Sequence, residues 1–204
     1  MFKEKHRIIK KEGSVVDIIR HDGSIIKDVC ALIGRATKSF DNSITLESNR
    51  RGHFISTEYP LDNGFVCYDR KLDAYYLMVA VYHEILEGNL ATYASHMLKT
   101  NSTITVYGYT EDADEDGNIT KQKTLKYVDV KVFTRSRDLD LKRTEPGIRE
   151  HNEYNIFAPN IQVNSLDHVV LSAGNLEYDF KVISADYISF SGLVILTLES
   201  ETRR

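Results

Sequence analysis

Residues Tyr178–Glu199 read YDFKVISADYISFSGLVILTLE, and this stretch decides the fold class. Tyr178, Phe180 and Val182 alternate with Asp179, Lys181 and Ile183, the period of a strand with one buried face. Ser191-Gly192 supplies a turn, and Leu193–Leu198 follows as a second, more continuously apolar strand. Aromatic and β-branched side chains at this density need a sheet to bury them. A looser version lies upstream: Tyr75, Leu77, Val79 and Val81, a turn at Glu87–Asn89, then Leu90 onward. In both places a polar turn and a short apolar strand come first, at Asn63–Val66 and at Asp167–Leu171. The recurrence reads as two related β-rich units.

The remaining segments extend the pattern. Asp22-Gly23 sits between the apolar runs Val15–Ile19 and Ile25–Val29 and predicts a hairpin with a type I′ turn. Residues 1–12 form a charged arm that orders when docked on something. Ile44–Leu46 and His53–Ser56 are short candidate strands, and Arg50–Gly52 reads as loop. Leu90–Leu98 fits helical spacing as well as strand spacing; its place between strands favours β. Thr103–Tyr109 and Thr124–Phe133 are the arms of a hairpin joined by a polar loop, TEDADEDGNITKQK. Residues 134–153 carry dense charge of both signs with Pro146-Gly147, as a linker or exposed loop does.

The predicted fold is therefore mainly β, as two small β-barrel or β-sandwich modules with long hairpin and loop extensions. The divisions are an N-terminal module over 1–133 that includes the 103–133 hairpin, a charged linker over 134–153, and a C-terminal module over 154–204.

The 204-residue chain is 42% hydrophobic and 27% charged, with 12 Tyr and 8 Phe, enough to bury a core. Its net charge of −4 disfavours a dominant nucleic-acid surface, which pushes a chain basic. Cys30 and Cys67 share no metal-type spacing and read as buried free thiols of a reducing compartment. No apolar window reaches membrane-spanning length, and no apolar signal core follows the N-terminus.

Chemical motifs are partial. Asp112, Asp114 and Asp116, then Gly117 and Ile119, imitate the start of an EF-hand loop. Lys123 stands where the bidentate Glu is required, so an acidic hairpin tip is the better reading and the three carboxylates are weak metal candidates. His83-Glu84 opens an HExxH-like run, but Glu87 replaces the second histidine and Gly88 follows at once. No GxSxG and no glycine-rich phosphate loop occurs. Catalytic residues, cofactors and bound metals are accordingly not expected. Arg135, Arg137, Lys142, Arg143 and Arg149 form a basic set interrupted by Asp138, Asp140 and Glu145. They are the interaction candidates, suited to non-specific contact with DNA in a channel.

Four segments of the C-terminal half, Pro159–Val163, Asp167–Leu171, Tyr178–Val182 and Gly192–Leu198, resemble the small β-barrel of tailed-phage head–tail connector proteins, also called head-completion, neck or collar proteins. Tyr75–Asn101 resembles neck and collar proteins of phages of Gram-positive hosts. The acidic hairpin and the 134–153 segment fall outside that pattern. The resemblance implies a non-enzymatic virion protein, assembled in the host cytoplasm as a homo-oligomeric ring between a portal or adaptor protein and tail proteins, with no membrane. Its rivals are another tail component (tube, terminator or baseplate), separated by copy number, and a metal-dependent hydrolase, separated by metal retention.

Overall fold

The computed structural model describes residues 2–37, 47–55, 60–86, 89–113, 119–136 and 153–200. Helix α1 (Phe2–Glu12) precedes twelve strands: β1 (Ser14–Ile19), β2 (Ile25–Arg35), β3 (Asn49–Ile55), β4 (Val66–Asp69), β5 (Ala74–Leu86), β6 (Asn89–Lys99), β7 (Ser102–Ala113), β8 (Ile119–Ser136), β9 (Glu153–Pro159), β10 (His168–Ala173), β11 (Leu176–Asp186) and β12 (Leu193–Ser200). They close into two antiparallel barrels, β1-β2-β3-β6-β5-β4 and β7-β8-β9-β12-β11-β10. Counted from each barrel's first strand, the cyclic order is the same. The compact units are Met1–Thr100 with Tyr187–Leu193, and Asn101–Asp186 with Val194–Arg204.

The 103–133 hairpin therefore belongs to the second barrel, not to the N-terminal module. Val169 on β10 pairs with Val106 on β7, and Phe157 on β9 pairs with Phe133 on β8. Without β7 and β8 the C-terminal barrel could not close. Residues 134–136, expected as linker, continue β8; residues 137–152 lie outside the described residues, as do Ile44–Leu46.

Each barrel is filled by one inward face of its strands. Val16, Ile18, Ala31, Phe54, Cys67, Tyr76, Met78 and Met97 build the first core. Ile104, Val106, Val132, Ile156, Val169, Phe180, Val182, Leu196 and Leu198 build the second. Each large aliphatic or aromatic side chain so buried contributes about 1.5–3 kcal/mol.

Two bulges recur at equivalent places. Opposite Val16 and Ile18 stand Val29 and Ile26; opposite Ile104 and Val106 stand Val130 and Tyr127. Each time the second strand carries an extra residue, and Asp28 (φ 61°) and Asp129 (φ 54°) absorb the bend. Aspartate tolerates that left-handed conformation better than most residues. On the fifth strands the register shifts after Met78 and after Val182. Such bulges raise local twist and help a small barrel close. In the first barrel an ion-pair network pins the bulge: Arg70 Nε donates to Asp17 Oδ2 at 2.7 Å, Nη1 to Asp28 Oδ1 at 2.9 Å and Nη2 to Asp17 Oδ1. The Arg70 hydrogen bonds outweigh burial and hold the Asp17 carboxyl below its ordinary range.

Several local expectations change. The β1–β2 turn is not type I′: Gly23 has φ 79°, but Asp22 has no positive φ. Gly23 N donates to Arg20 O at 3.0 Å, and Asp22 Oδ1 accepts from Ser24 N at 2.9 Å. This is a three-residue loop with its glycine in the left-handed position. Arg50–Gly52 lies inside β3 rather than in a loop, paired with β2 and β6. Leu90–Leu98 is strand, as its neighbours suggested. The repeated Tyr motif marks the correct strand, the fifth of each barrel, but is one residue out of phase. Bulge positions equate Tyr76 with Phe180 and Met78 with Val182; these side chains face the cores, whereas Tyr75 stacks on Tyr68 at 4.6 Å between ring centroids.

Candidate functional site

Two features go beyond what a barrel needs. The first is the β7–β8 ribbon. β10 pairs with β7 only from Thr103 to Tyr107. From Gly108 to Ala113, β7 continues opposite Thr124 to Ile119 of β8, beyond the last residue that pairs with β10. Most of the polar segment taken as loop, 110–123, is thus ladder, and only 114–118 fall outside the described residues. Strand β8 shows why the ribbon leaves the barrel: Gln122 to Lys126 are all exposed, with no inward alternation. Leu125 and Val128 are 56% and 61% exposed. A two-stranded ribbon is marginal alone.

The base of the ribbon is anchored. Lys126 Nζ donates to Asp167 Oδ2 at 2.7 Å, and that buried carboxylate also accepts from Asn164 N at 2.8 Å. Tyr127 Oη accepts from Gln162 N at 3.1 Å. Lys123 Nζ lies 4.2 Å from the centroid of the Tyr107 ring, a cation–π contact.

The second feature is α1, expected as a charged arm that orders on docking, and found as a helix seated on the first barrel. Its Lys5 and Ile9, one turn apart, face the first barrel; Ile9 is 2% exposed. Lys5 and Thr92 both donate to Glu84 Oε2, and His53 Nδ1 lies 3.6 Å from the same oxygen, beyond hydrogen-bond length. Burial raises the Glu84 carboxyl, but the hydrogen bonds and charges of Lys5, with those of Thr92 and His53, outweigh it and leave it below its ordinary value. Burial, then the Lys5 charge, depresses the His53 imidazole. The helix end reaches the barrel wall because residue 13 is glycine: a Cβ there would collide with the carbonyls of Ile9 and Ala31. The opposite face carries Lys3, Arg7 and Lys10. These residues, with His6 and Lys11, line an open depression of about 520 Å³.

The other candidates fall as follows. Asp112 stands in β7 with its backbone opposite Thr120; Asp114 and Asp116 lie outside the described residues. Their flanks are strands, not the helices of an EF-hand. His83 and Glu84 occupy a strand, so they point to opposite faces. His83 packs edge-on to Tyr93 at 5.1 Å while Glu84 meets α1. Arg135 extends β8 opposite Asn155, its guanidinium 5.9 Å from the Phe157 ring centroid; Arg137, Lys142, Arg143 and Arg149 lie outside the described residues. Cys67 is buried and Cys30 half-buried, both free, with burial pushing the Cys67 thiol up. Among the described residues no group of three His, Cys, Asp or Glu is gathered to hold a metal ion, and no helix is long and apolar enough to cross a membrane. The α1 cluster escaped sequence reading, although Lys3, Arg7 and Lys10 already fall on one helical face and Lys5 and Ile9 on the other.

No known protein family matches this chain, and no curated protein matches it. A solved structure of K. pneumonia MrkH is similar at 8% identity and a TM-score of 0.22, covering 100% of this chain and 84% of that one. A likeness that slight bears on neither fold nor function.

Proposed function

We propose that this chain is a structural protein of a tailed-phage virion. It forms a homo-oligomeric ring at the head–tail junction, between a portal or adaptor protein and tail proteins. The β7–β8 ribbon carries this reading: a barrel that closes at Tyr107 has no internal use for the strand beyond it. The tandem barrels supply rigid bodies, and the ribbon supplies reach to a neighbour. A head-to-tail contact repeated around an axis closes into a ring when the rotation closes. The resemblance of Pro159–Leu198 and Tyr75–Asn101 to neck proteins supports the same role. The chain then acts by binding and needs no catalytic group.

The test is the purified protein in solution. Light scattering coupled to size exclusion gives one multiple of the 23.3 kDa chain mass, and negative-stain images show rings. A strict monomer at every concentration, also absent from particles, overturns the reading.

A further inference from the structure

We propose that the outward face of α1 docks the phosphate backbone of a DNA duplex, without regard to base sequence. The inference stands apart from the ring reading, since a single chain carries the whole face. Helix α1 holds five basic and two acidic side chains, net +3, in a protein of net −4. At 3.6 residues per turn, His6, Lys10, Lys3, Arg7 and Lys11 fall in that order on one arc of about 140°. No acidic position interrupts the arc; Glu4 lies just past Lys11 at its edge, and Glu12 falls well outside it. The same five side chains line the open depression of about 520 Å³. Lys5 and Ile9 hold the opposite face on the barrel, and Gly13 lets the helix end close on the wall. The cations are thus presented by a helix already fixed in place, which lowers the ordering cost of docking.

The residue types choose among anionic partners. Protein–protein contacts centre on aromatic or aliphatic anchors and are depleted in lysine. This arc has three lysines, an arginine and a histidine, and no aliphatic side chain. A membrane surface takes an amphipathic helix by its apolar face, and here Ile9 is spent on the barrel. Single-stranded nucleic acid is held by aromatic stacking, and no Phe, Tyr or Trp lies on the arc. A duplex presents a row of phosphates and requires none of these. Lys3, Arg7 and Lys11 recur every four residues, about 6 Å of helix rise each, a row of cations to set against that row. With no Asn, Gln, Ser or Thr on α1, base edges and 2′-hydroxyls go unread. The helix's own acids compete weakly: Glu4 reaches Arg7 only at 4.0 Å and Glu12 reaches Lys11 at 3.3 Å, both in exposed pairs. The rest of the chain sums to −7, but at physiological salt charges more than about 8 Å apart are largely screened, so the contact is decided locally. The whole-chain balance rules out a dominant nucleic-acid surface, not one helix face.

Fluorescence anisotropy with a short labelled DNA duplex of mixed sequence tests this. Four phosphate contacts make the wild-type affinity fall about a hundredfold between about 50 and 200 mM salt. Lys3→Gln, Arg7→Gln and Lys10→Gln together remove about three of those contacts, which flattens the salt dependence and lowers low-salt affinity at least about tenfold. The control carries Lys27→Gln, Lys71→Gln and Lys99→Gln, the same charge change at exposed positions outside α1; it keeps the wild-type salt dependence. Circular dichroism checks that both fold. Should the α1 triple variant not fold, Lys3→Gln and Lys10→Gln singly each lower the salt slope by about one. No binding by the wild type at low salt, or equal losses in the two triple variants, overturns the proposal. So does a single strand, an RNA duplex or a poly-glutamate chain that binds more tightly than the DNA duplex. Sedimentation in the same buffer keeps the two readings apart: a monomer that binds DNA removes the ring alone, and a ring that ignores DNA removes the α1 dock alone.

Discussion

The two barrels share a strand order, a bulge with a positive-φ aspartate on the second strand, and a bulge on the fifth. They part at the first hairpin. In the N-terminal barrel, β1 turns into β2 through Arg20–Ser24. In the C-terminal barrel the same hairpin runs on from Gly108 to Thr124. Closure constrains what the two have in common, since strand number, stagger and twist must agree for a barrel to form. It places no demand on the hairpin's length beyond the last barrel pair. Where two otherwise matched barrels differ, the difference marks residues answering to something outside the barrel. The N-terminal barrel has its own addition, the helix α1.

Core truncation gives the largest effect. Phe54→Ala and Leu196→Ala, each at a fully buried position, cost about 3–5 and 2–5 kcal/mol respectively. Chemical denaturation followed by hydrogen exchange shows each change lowering protection in its own barrel. If Phe54→Ala lowers protection equally around Leu196, the barrels are one cooperative unit and the comparison fails.

The paired bulges come next. Asp28→Val and Asp129→Val place β-branched side chains at positive φ and cost about 1–3 kcal/mol each, while Asp129→Gly is tolerated within about 1 kcal/mol. Urea midpoints decide this; equal midpoints for Val and Gly at residue 129 show that the bulge is not held by φ.

Smaller still, and confined to the N-terminal barrel, is Glu84→Gln at about 1 kcal/mol. His53 and Glu84 both sit below their ordinary values of 6.5 and 4.5, so the unfolded chain binds protons more readily at each. Their contributions are complete above about pH 6.5 and fall on acidification, first through His53, then below about 4.5 through Glu84. Exchange protection of α1 measured from pH 7.5 to 4 should drop in that order, and Glu84→Gln should flatten the lower step. Protection that rises on acidification reverses the sign and rejects the assignment.

Replacing Gly108–Thr124 by the three residues His-Asp-Gly makes the second barrel's first hairpin as tight as its counterpart, whose loop is His21–Gly23. Barrel stability changes by about 0.5 kcal/mol or less, as for surface changes generally, while self-association is lost. Unfolding of the shortened protein would show that the ribbon is part of the barrel.

The fold class was legible because alternation in Tyr178–Glu199 reports a buried face directly. Leu90–Leu98 was legible only through its neighbours, since five apolar residues at that spacing suit either period. The module boundary was not legible: Thr103–Phe133 looks the same whichever barrel it completes, and pairing Val169 with Val106 is a contact across more than sixty residues. The phase of the Tyr repeat was misread because a bulge shifts register without altering composition.

By itself the sequence determined that this chain builds β-sheets in two recurring units, that its first residues are basic and its 111–116 stretch acidic, and that its cysteines are few. These are local properties of side-chain period and charge. Only the tertiary structure decided which strands close which barrel, that Lys5 meets Glu84 while Lys3, Arg7 and Lys10 look outward, and that β7 and β8 stay paired from Gly108 to Ala113, beyond the barrel's last β10 pair. Those depend on non-local pairing, which no window of residues contains.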